Sequence, residues 1–294
     1  MDFPFTKQTI AIIGLGLLGG SLGLALKRRH PSVRILGWAR RQETIEEAIR
    51  TGAIDAGSAD PAAVLPQADF SILCVPLQAT LDFAAANAHL WRPGSLVTDV
   101  GSVRTPIVQA LRPQLAAHGI IFIGSHPMAG SHHAGIEHAD ANLYTGATVF
   151  ITGTPDDKPD DISTVEEFWR GLGTIPFRID SEEHDALTAR TSHALHLVAA
   201  AAVRTYLNRG KSALATGGAF RDFSRIAGSS PDMWVNISQF NRHNLADALR
   251  ELEEEIAQVR HLVENGEWDN LHRYLDIARE QRETWFAEWS RRRR

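Results

Sequence analysis

Cysteine is almost missing from this chain of 294 residues: Cys74 stands alone. That excludes an internal disulfide and any metal site built on several thiolates. Cys74 falls in the apolar run 70–75, where it is expected to be inert core. The chain also lacks an apolar run long enough to cross a bilayer, about 18 residues. Residues 1–7 contain no apolar signal segment, so the default expectation is residence in the cytoplasm with no membrane partner. Neither sign of charge is in large excess: 30 Lys and Arg against 35 Asp and Glu leave a formal charge of −5, which argues against a general nucleic-acid binder. No fixed-period repeat is visible, and no low-complexity tract apart from the acidic stretch 155–161. The closing residues 291–294, all arginine, read as a frayed, solvated helix end.

Apolar residues make up 44% of the chain and charged residues 22%, which excludes disorder, and the length suggests about two domains. The chain is organised around residues 9–41. Residues 10–13 are apolar and β-branched, as a buried parallel strand requires. Gly14, Gly16 and Gly19 follow at G-x-G-x-x-G spacing: the first permits a tight turn, the second lets backbone approach a pyrophosphate, and the third lets the next helix pack close. Amides near Leu17 and Leu18 would then face the phosphates along the helix dipole. A lone motif of this kind also fits a glycine turn that binds nothing. Here it follows a strand, opens an apolar helix to Leu26 and is answered by a second strand over 33–38, and that context selects the dinucleotide reading. An NAD-directed unit places an acid on the ribose 2′-hydroxyl about 20 residues beyond the last glycine. This chain has Ala39, Arg40 and Arg41. No carboxylate is there to repel a 2′-phosphate and two guanidiniums can pair with it, so NADP is the preferred cofactor and NAD the alternative. The competing reading leaves both arginines solvated.

Further along, 43–50 reads as a helix closed by Gly52, 53–68 as a transitional piece with Pro61 and Pro66, and 69–76 as a buried strand. Open α/β sheets bind ligands at the carboxyl ends of their strands, which places Cys74, Val75 and Pro76 beside the cofactor. A helix over 78–90 precedes a strand over 95–100 that delivers Gly101 and Ser102 to the same edge. A helix over 105–117 then leads to a strand over 120–123 that delivers residues 124–130, so three strand ends converge on one crevice. A strand over 148–152, a helix over 163–171 and a strand over 174–179 complete the first domain. The fold class is α/β: a Rossmann-type, doubly wound and mostly parallel sheet over residues 1–180, followed by an all-α domain over 181–294. That second part reads as an Ala-rich apolar helix over 182–206 and charged amphipathic helices over 245–264 and 268–289. Its apolar faces are expected to pair with a copy in another subunit.

His126 follows an expected strand end and precedes Pro127, which holds it extended. An imidazole at that edge suits removal of a hydroxyl proton near neutral pH, against the plainer reading of a hydrogen-bonded core histidine. Ser102 could orient that imidazole or share the substrate hydroxyl; taken alone it is as readily a cap serine before Thr105. His193 and His196 lie on one face of the apolar helix and suggest a polar wall to a cleft. As metal ligands they lack a third partner and the H-E-x-x-H pattern, and the loop histidines His132, His133 and His138 lack a legible supporting shell, so no metal is expected. Arg221 and Arg225 stand four apart among Gly217, Gly218 and Gly228 and suit bidentate capture of a carboxylate, with Asp222 or Asp232 as competing partners.

Several blocks follow one another in a recognisable order: Gly-Leu-Gly-Leu-Leu-Gly-Gly-Ser-Leu from Gly14, Asp-Val-Gly-Ser-Val-Arg from Asp99 and Gly-Ser-His-Pro-Met-Ala-Gly from Gly124. Ser-His-Ala-Leu-His from Ser192 and Phe-Arg-Asp-Phe-Ser-Arg-Ile-Ala from Phe220 come next, with Met233 and Trp234 downstream. Together they resemble the prephenate/arogenate dehydrogenase family of tyrosine biosynthesis over nearly the whole chain. The resemblance implies an oxidative decarboxylation in which hydride leaves C4 of a cyclohexadienyl ring for NAD(P), the ring carboxylate departs as CO2 and the ring becomes aromatic. It implies that His126 hydrogen-bonds the C4 hydroxyl with Ser102 as its companion, and that Arg225 holds a substrate carboxylate. Ser192, His193, His196 and Trp234 would line the substrate pocket, joined by Ser125, Gly130, Ser131 and His132 around the His-Pro-Met-Ala-Gly block. A helical dimerisation domain, hence a homodimer, is implied as well.

One position departs from the family's pattern. Many prephenate-directed members carry an acid two places after Met-Ala-Gly, where this chain has His132. His132 does not decide between the two substrates; prephenate is favoured on family prevalence alone, with arogenate as the alternative. Nothing after the helices reads as a regulatory domain and nothing before the glycine motif as a mutase segment, so feedback by tyrosine would act at the active site. Two further readings stay open from the residues: another NADP-dependent reductase of hydroxy or imino acids, and a dinucleotide sensor without chemistry.

Overall fold

A computed structural model describes residue 5 and residues 8–131, 133–208 and 214–292. His132, most of the opening residues, and Arg293 and Arg294 lie outside them. By internal packing the chain divides into two compact units, Met1–Asn241 and Arg242–Arg294.

The first unit is built on a six-stranded sheet. Strands β1 (Thr9–Ile13), β2 (Arg34–Trp38), β3 (Ala56–Ser58), β4 (Phe70–Leu73), β5 (Leu96–Asp99) and β6 (Ile121–Phe122) run parallel in the order β3-β2-β1-β4-β5-β6. The expected doubly wound sheet is therefore present, and the order reverses between β1 and β4, where such sheets open a crevice. Alternate residues serve opposite faces. Ile10 and Ile12 pack with Leu22 and Leu26 of α1 (Leu17–Arg29), whereas Ala11 and Ile13 join the cluster of Phe83 from α3 (Leu77–Asn87) and Ile107 and Leu111 from α4 (Thr105–Ala116). Helix α2 (Gln42–Arg50) is closed by Gly52 at φ +76°. Residues 53–68, expected only as a transition, hold β3 and two short 3₁₀ turns.

Two expectations need correction. The stretch 120–130 does not simply end a strand of the main sheet. β6 stops after two residues, and β7 (Gly124–Pro127) joins β8 (Thr148–Thr152) and β9 (Ile175–Arg178) in a separate sheet, antiparallel between β7 and β8. His126 thus lies within a strand rather than after one. Gly124 permits the turn-out: a Cβ there would stand 2.2 Å from Arg104 Nη2 and 2.6 Å from Thr152 Oγ1. The helix expected over 182–206 is also not continuous. It runs as α6 (Ser181–Thr188), a π turn (Ala189–His193) and α7 (Ala194–Tyr206). Such a turn inserts a residue and re-aims the side chains that follow it. Helix α5 (Pro159–Gly171) starts earlier than expected because Pro159 suits a first turn and Asp160 and Asp161 complement the helix dipole there. The unit ends with α8 (Gly218–Ser224), a 3₁₀ turn (Arg225–Gly228) and α9 (Pro231–Phe240).

The second unit is the pair α10 (Arg242–Glu264) and α11 (Trp268–Arg292). Large apolar side chains on it are exposed, among them Ile256, Leu275, Trp285 and Phe286, and Arg282 lies 4.4 Å over the Phe286 ring. No described helix is long and apolar enough to cross a membrane.

Candidate active site

A cavity of about 590 Å³ opens at the carboxyl edge of the parallel sheet. One wall is the glycine turn. Gly14 takes φ +100°, and a Cβ on it would meet the Cys74 carbonyl at 2.6 Å; a Cβ on Gly19 would meet the Gly14 carbonyl at 1.9 Å. These two glycines shape the turn and do not line the cavity. Gly16 differs: no atom lies within 4 Å of the place its Cβ would take, and no side chain caps α1 or adds an acid to its first turn. Gly16, Leu17 and Leu18 therefore present open helix-terminal amides to the cavity, beside Cys74, Val75, Pro76 and Gly101. That open cradle fits a dinucleotide pyrophosphate. Burial pushes the Cys74 thiol far up, so it is no nucleophile. Ala39 is buried, while Arg40 and Arg41 are exposed at the end of β2, outside the cavity lining, with no side-chain partner among the described residues.

The inner wall, where His126 lines the cavity, is backed by a buried polar layer. Asp99 and Arg104 are 1% and 0% exposed and pair bidentately, at 2.5 and 2.7 Å. His126 Nδ1 lies 2.8 Å from His184 Nε2, and His184 Nδ1 lies 2.9 Å from Asp185 Oδ1. Asp185 is held in turn by the backbone N–H groups of Arg104 and Thr105, at 2.7 and 2.8 Å. Burial, then the charges on His184, Arg104 and His193, hold His126 well below the ordinary imidazole range. Burial also lowers His184, against the pull of Asp185. Burial alone would raise the Asp185 carboxyl, but the hydrogen bonds from His184 and the two amides outweigh it and pull it down. Ser102 lines the cavity without a hydrogen bond to His126. Ser125 does not line it: its hydroxyl meets Thr98, the Asp99 carbonyl and Trp169 Nε1, because alternate strand residues face opposite sides.

The helical wall comes from the π turn, α7 and the α8–α9 region. Ser192, His193, His196, Arg225 and Trp234 all line the cavity, as do Gly130 and Ser131 from the loop after β7. His196 stacks on Trp234 with ring centroids 3.7 Å apart, and its Nδ1 lies 3.1 Å from the Ser192 carbonyl. Burial lowers its pKa, partly offset by that carbonyl. Trp234 Nε1 is buried with no hydrogen-bond partner among the described residues. His193 is buried and held down to about 4, chiefly by burial. Arg225 is exposed and forms no ion pair among the described residues, whereas Arg221 pairs with Asp222 at 3.0 Å. His133 and His138 stack at 4.5 Å, and no group of described residues is arranged to hold a metal.

Sequence reasoning missed His184, Asp185 and Asn241. The only local signal was the adjacent His184-Asp185 pair, set beside Glu182 and Glu183 in the polar opening of α6.

A family model described as prephenate dehydrogenase, nucleotide-binding domain, matches residues 22–175, and one described as prephenate dehydrogenase, dimerization domain, matches residues 180–277. Prephenate dehydrogenase of Bacillus subtilis (strain 168) is 34% identical over 284 residues, covering 94% of this chain and 76% of that protein. The crystal structure of prephenate dehydrogenase from A. aeolicus in complex with hydroxyphenyl propionate and NAD+ matches with a TM-score of 0.88 at 30% identity, covering 95% of this chain and 98% of that one. Synechocystis arogenate dehydrogenase matches with a TM-score of 0.81 at 28% identity, covering 94% and 99%.

Proposed function

The chain belongs to the prephenate dehydrogenase family, and we propose that it oxidises prephenate to 4-hydroxyphenylpyruvate and CO2 in tyrosine biosynthesis, with NADP as the preferred acceptor. It is an NAD(P)-dependent oxidoreductase. The observation that carries the reading is that His126, Arg225 and the open amides of the glycine turn border one cavity. When bound, the nicotinamide accepts the hydride that leaves C4. His126 accepts a hydrogen bond from the C4 hydroxyl and supports positive charge as it develops at that carbon. The phenol of the product keeps its proton, so the imidazole borrows one and returns it. Loss of the ring carboxylate as CO2 makes the ring aromatic, which drives the step. Arg225 anchors the remaining carboxylate with paired N–H donors, and Ser102, Ser131, Ser192 and His196 add polar contacts. Gly130 keeps that rim open, and the unpartnered Trp234 Nε1–H is free to donate to substrate oxygen.

Prephenate is favoured over arogenate because the described lining contains no carboxylate to meet an ammonium group. NADP is favoured because Arg40 and Arg41 follow β2 exposed and without a side-chain partner among the described residues, free to pair with a 2′-phosphate. Residues 1–180 hold the nucleotide in this reading, and 181–294 supply substrate contacts and the interface of a homodimer, supported by the dimerization-domain match and the apolar surface of α10 and α11. A cytoplasmic setting accords with it. Reduced cofactor and CO2 measured for prephenate and arogenate, each with NADP and NAD, test the proposal. Prephenate with NADP should be fastest, and silence in all four mixtures overturns it.

A further inference from the structure

The protonation pattern of the inner wall follows from its acceptors. Both oxygens of Asp185 receive amides that open α4, so the carboxylate stays charged at a helix N-terminus. A carboxylate only accepts, so His184 Nδ1 carries a proton. Neutral His184 then has a bare Nε2, and His126 Nδ1, 2.8 Å away, must donate to it. The lone pair of His126 is thereby left on Nε2. A second chain of bonds starts from the same residue. Asn241 Nδ2 lies 2.8 Å from the Asp185 carbonyl and 3.1 Å from His193 Nδ1. The carbonyl can only accept, so the amide nitrogen faces both and donates to both. His193 Nδ1 is therefore an acceptor, and its proton sits on Nε2. Both rings are buried and both line the cavity.

We infer that Asp185 and Asn241 are positioning residues that hold two imidazoles of one cavity in opposite tautomers, His126 accepting and His193 donating at Nε2. Asp185 commands both, through its carboxylate by way of His184 and through its carbonyl by way of Asn241. The pair selects a ligand that offers a hydroxyl donor and an oxygen acceptor in one molecule, as a hydroxy acid does. A ligand with an ammonium at the second point meets a donor and is refused. This deepens the dehydrogenase reading and rests on it for the identity of the hydroxyl. The tautomers themselves are read without turnover.

Histidines labelled with the heavy nitrogen isotope, followed by long-range proton–nitrogen correlation near neutral pH, report each ring; His126→Gln and His193→Gln assign the two signals. His126 should carry its proton on Nδ1 and His193 on Nε2. The reverse at either ring overturns the inference. His184→Phe removes the acceptor, so His126 should revert to the Nε2-protonated form and kcat should fall by about 10²-fold with KM little changed. His184→Gln keeps an oxygen acceptor and should restore both the ring signal and most of kcat. An unmoved His126 signal in folded His184→Phe also overturns it, and if that variant does not fold, the unmodified protein's spectrum decides alone. A protein with these tautomers but no turnover of prephenate would sink the dehydrogenase reading and support this one.

Discussion

The buried layer behind the inner wall of the cavity and the cavity's helical wall treat charge in opposite ways. Asp99, Arg104 and Asp185 are 1%, 0% and 2% exposed; Asp99 and Arg104 answer each other at close range in the chain, and Asp185 is answered by two backbone amides from far along it. Arg225 borders the same cavity, exposed and without an ion pair among the described residues. A charge held out of water survives only if the fold supplies all its partners. A charge left in water costs the fold little and is free to take its partner from a ligand. The buried layer is thus complete within the fold, whereas Arg225 stands open to a partner from outside it.

The contrast breaks first at Asp99. Asp99→Ala leaves the Arg104 guanidinium buried and unpaired and should cost about 3–5 kcal/mol of stability, read by denaturant unfolding. Arg225→Ala should cost within about 0.5 kcal/mol, and equal losses from the two would dissolve the distinction. Next, His126→Asn should lower kcat by about 10²-fold or more while leaving cofactor binding intact; a dinucleotide sensor would keep its output instead. Arg225→Ala should act on recognition, lowering kcat/KM by roughly 10- to 100-fold, the worth of a charged hydrogen bond, mainly through KM. Acid should sharpen the contrast further. The unfolded chain protonates His193 near its ordinary value of 6.5, whereas the folded chain resists until about 4. The neutral ring's contribution is present above pH 6.5 and is lost as pH falls toward 4, because the unfolded state binds the proton more readily. Unfolding and kcat followed over that window check it, and a flat stability profile contradicts a buried neutral His193. Smallest of all, Arg40→Asp at the exposed end of β2 should lower NADP affinity several-fold; an unchanged NADP to NAD ratio refutes the 2′-phosphate assignment.

Much of this architecture could be read along the chain. The glycine spacing, the β-branched run before it and the strand ends at Cys74 and Gly101 are short-range patterns, and they foretold the doubly wound sheet and its crevice. His126 and Arg225 were marked by their immediate neighbours, and both border the cavity. The break between the two sheets was not legible, because it depends on a close approach of Arg104 and Thr152 to Gly124, residues distant from it in sequence. His184, Asp185 and Asn241 were missed for a related reason: their partners lie 58, 81 and 56 positions away. Beyond the adjacency of His184 and Asp185, nothing local distinguishes such residues from ordinary surface polars.

Spacing alone therefore determined where the glycine turn falls, which strands lie buried and where helices replace them, since those depend on the period of the backbone and the room around a missing Cβ. Which imidazole nitrogen carries a proton, and which charge is sealed from water, was decided only when distant segments met. Hydrogen-bond direction is a property of pairs, and the fold alone makes the pairs.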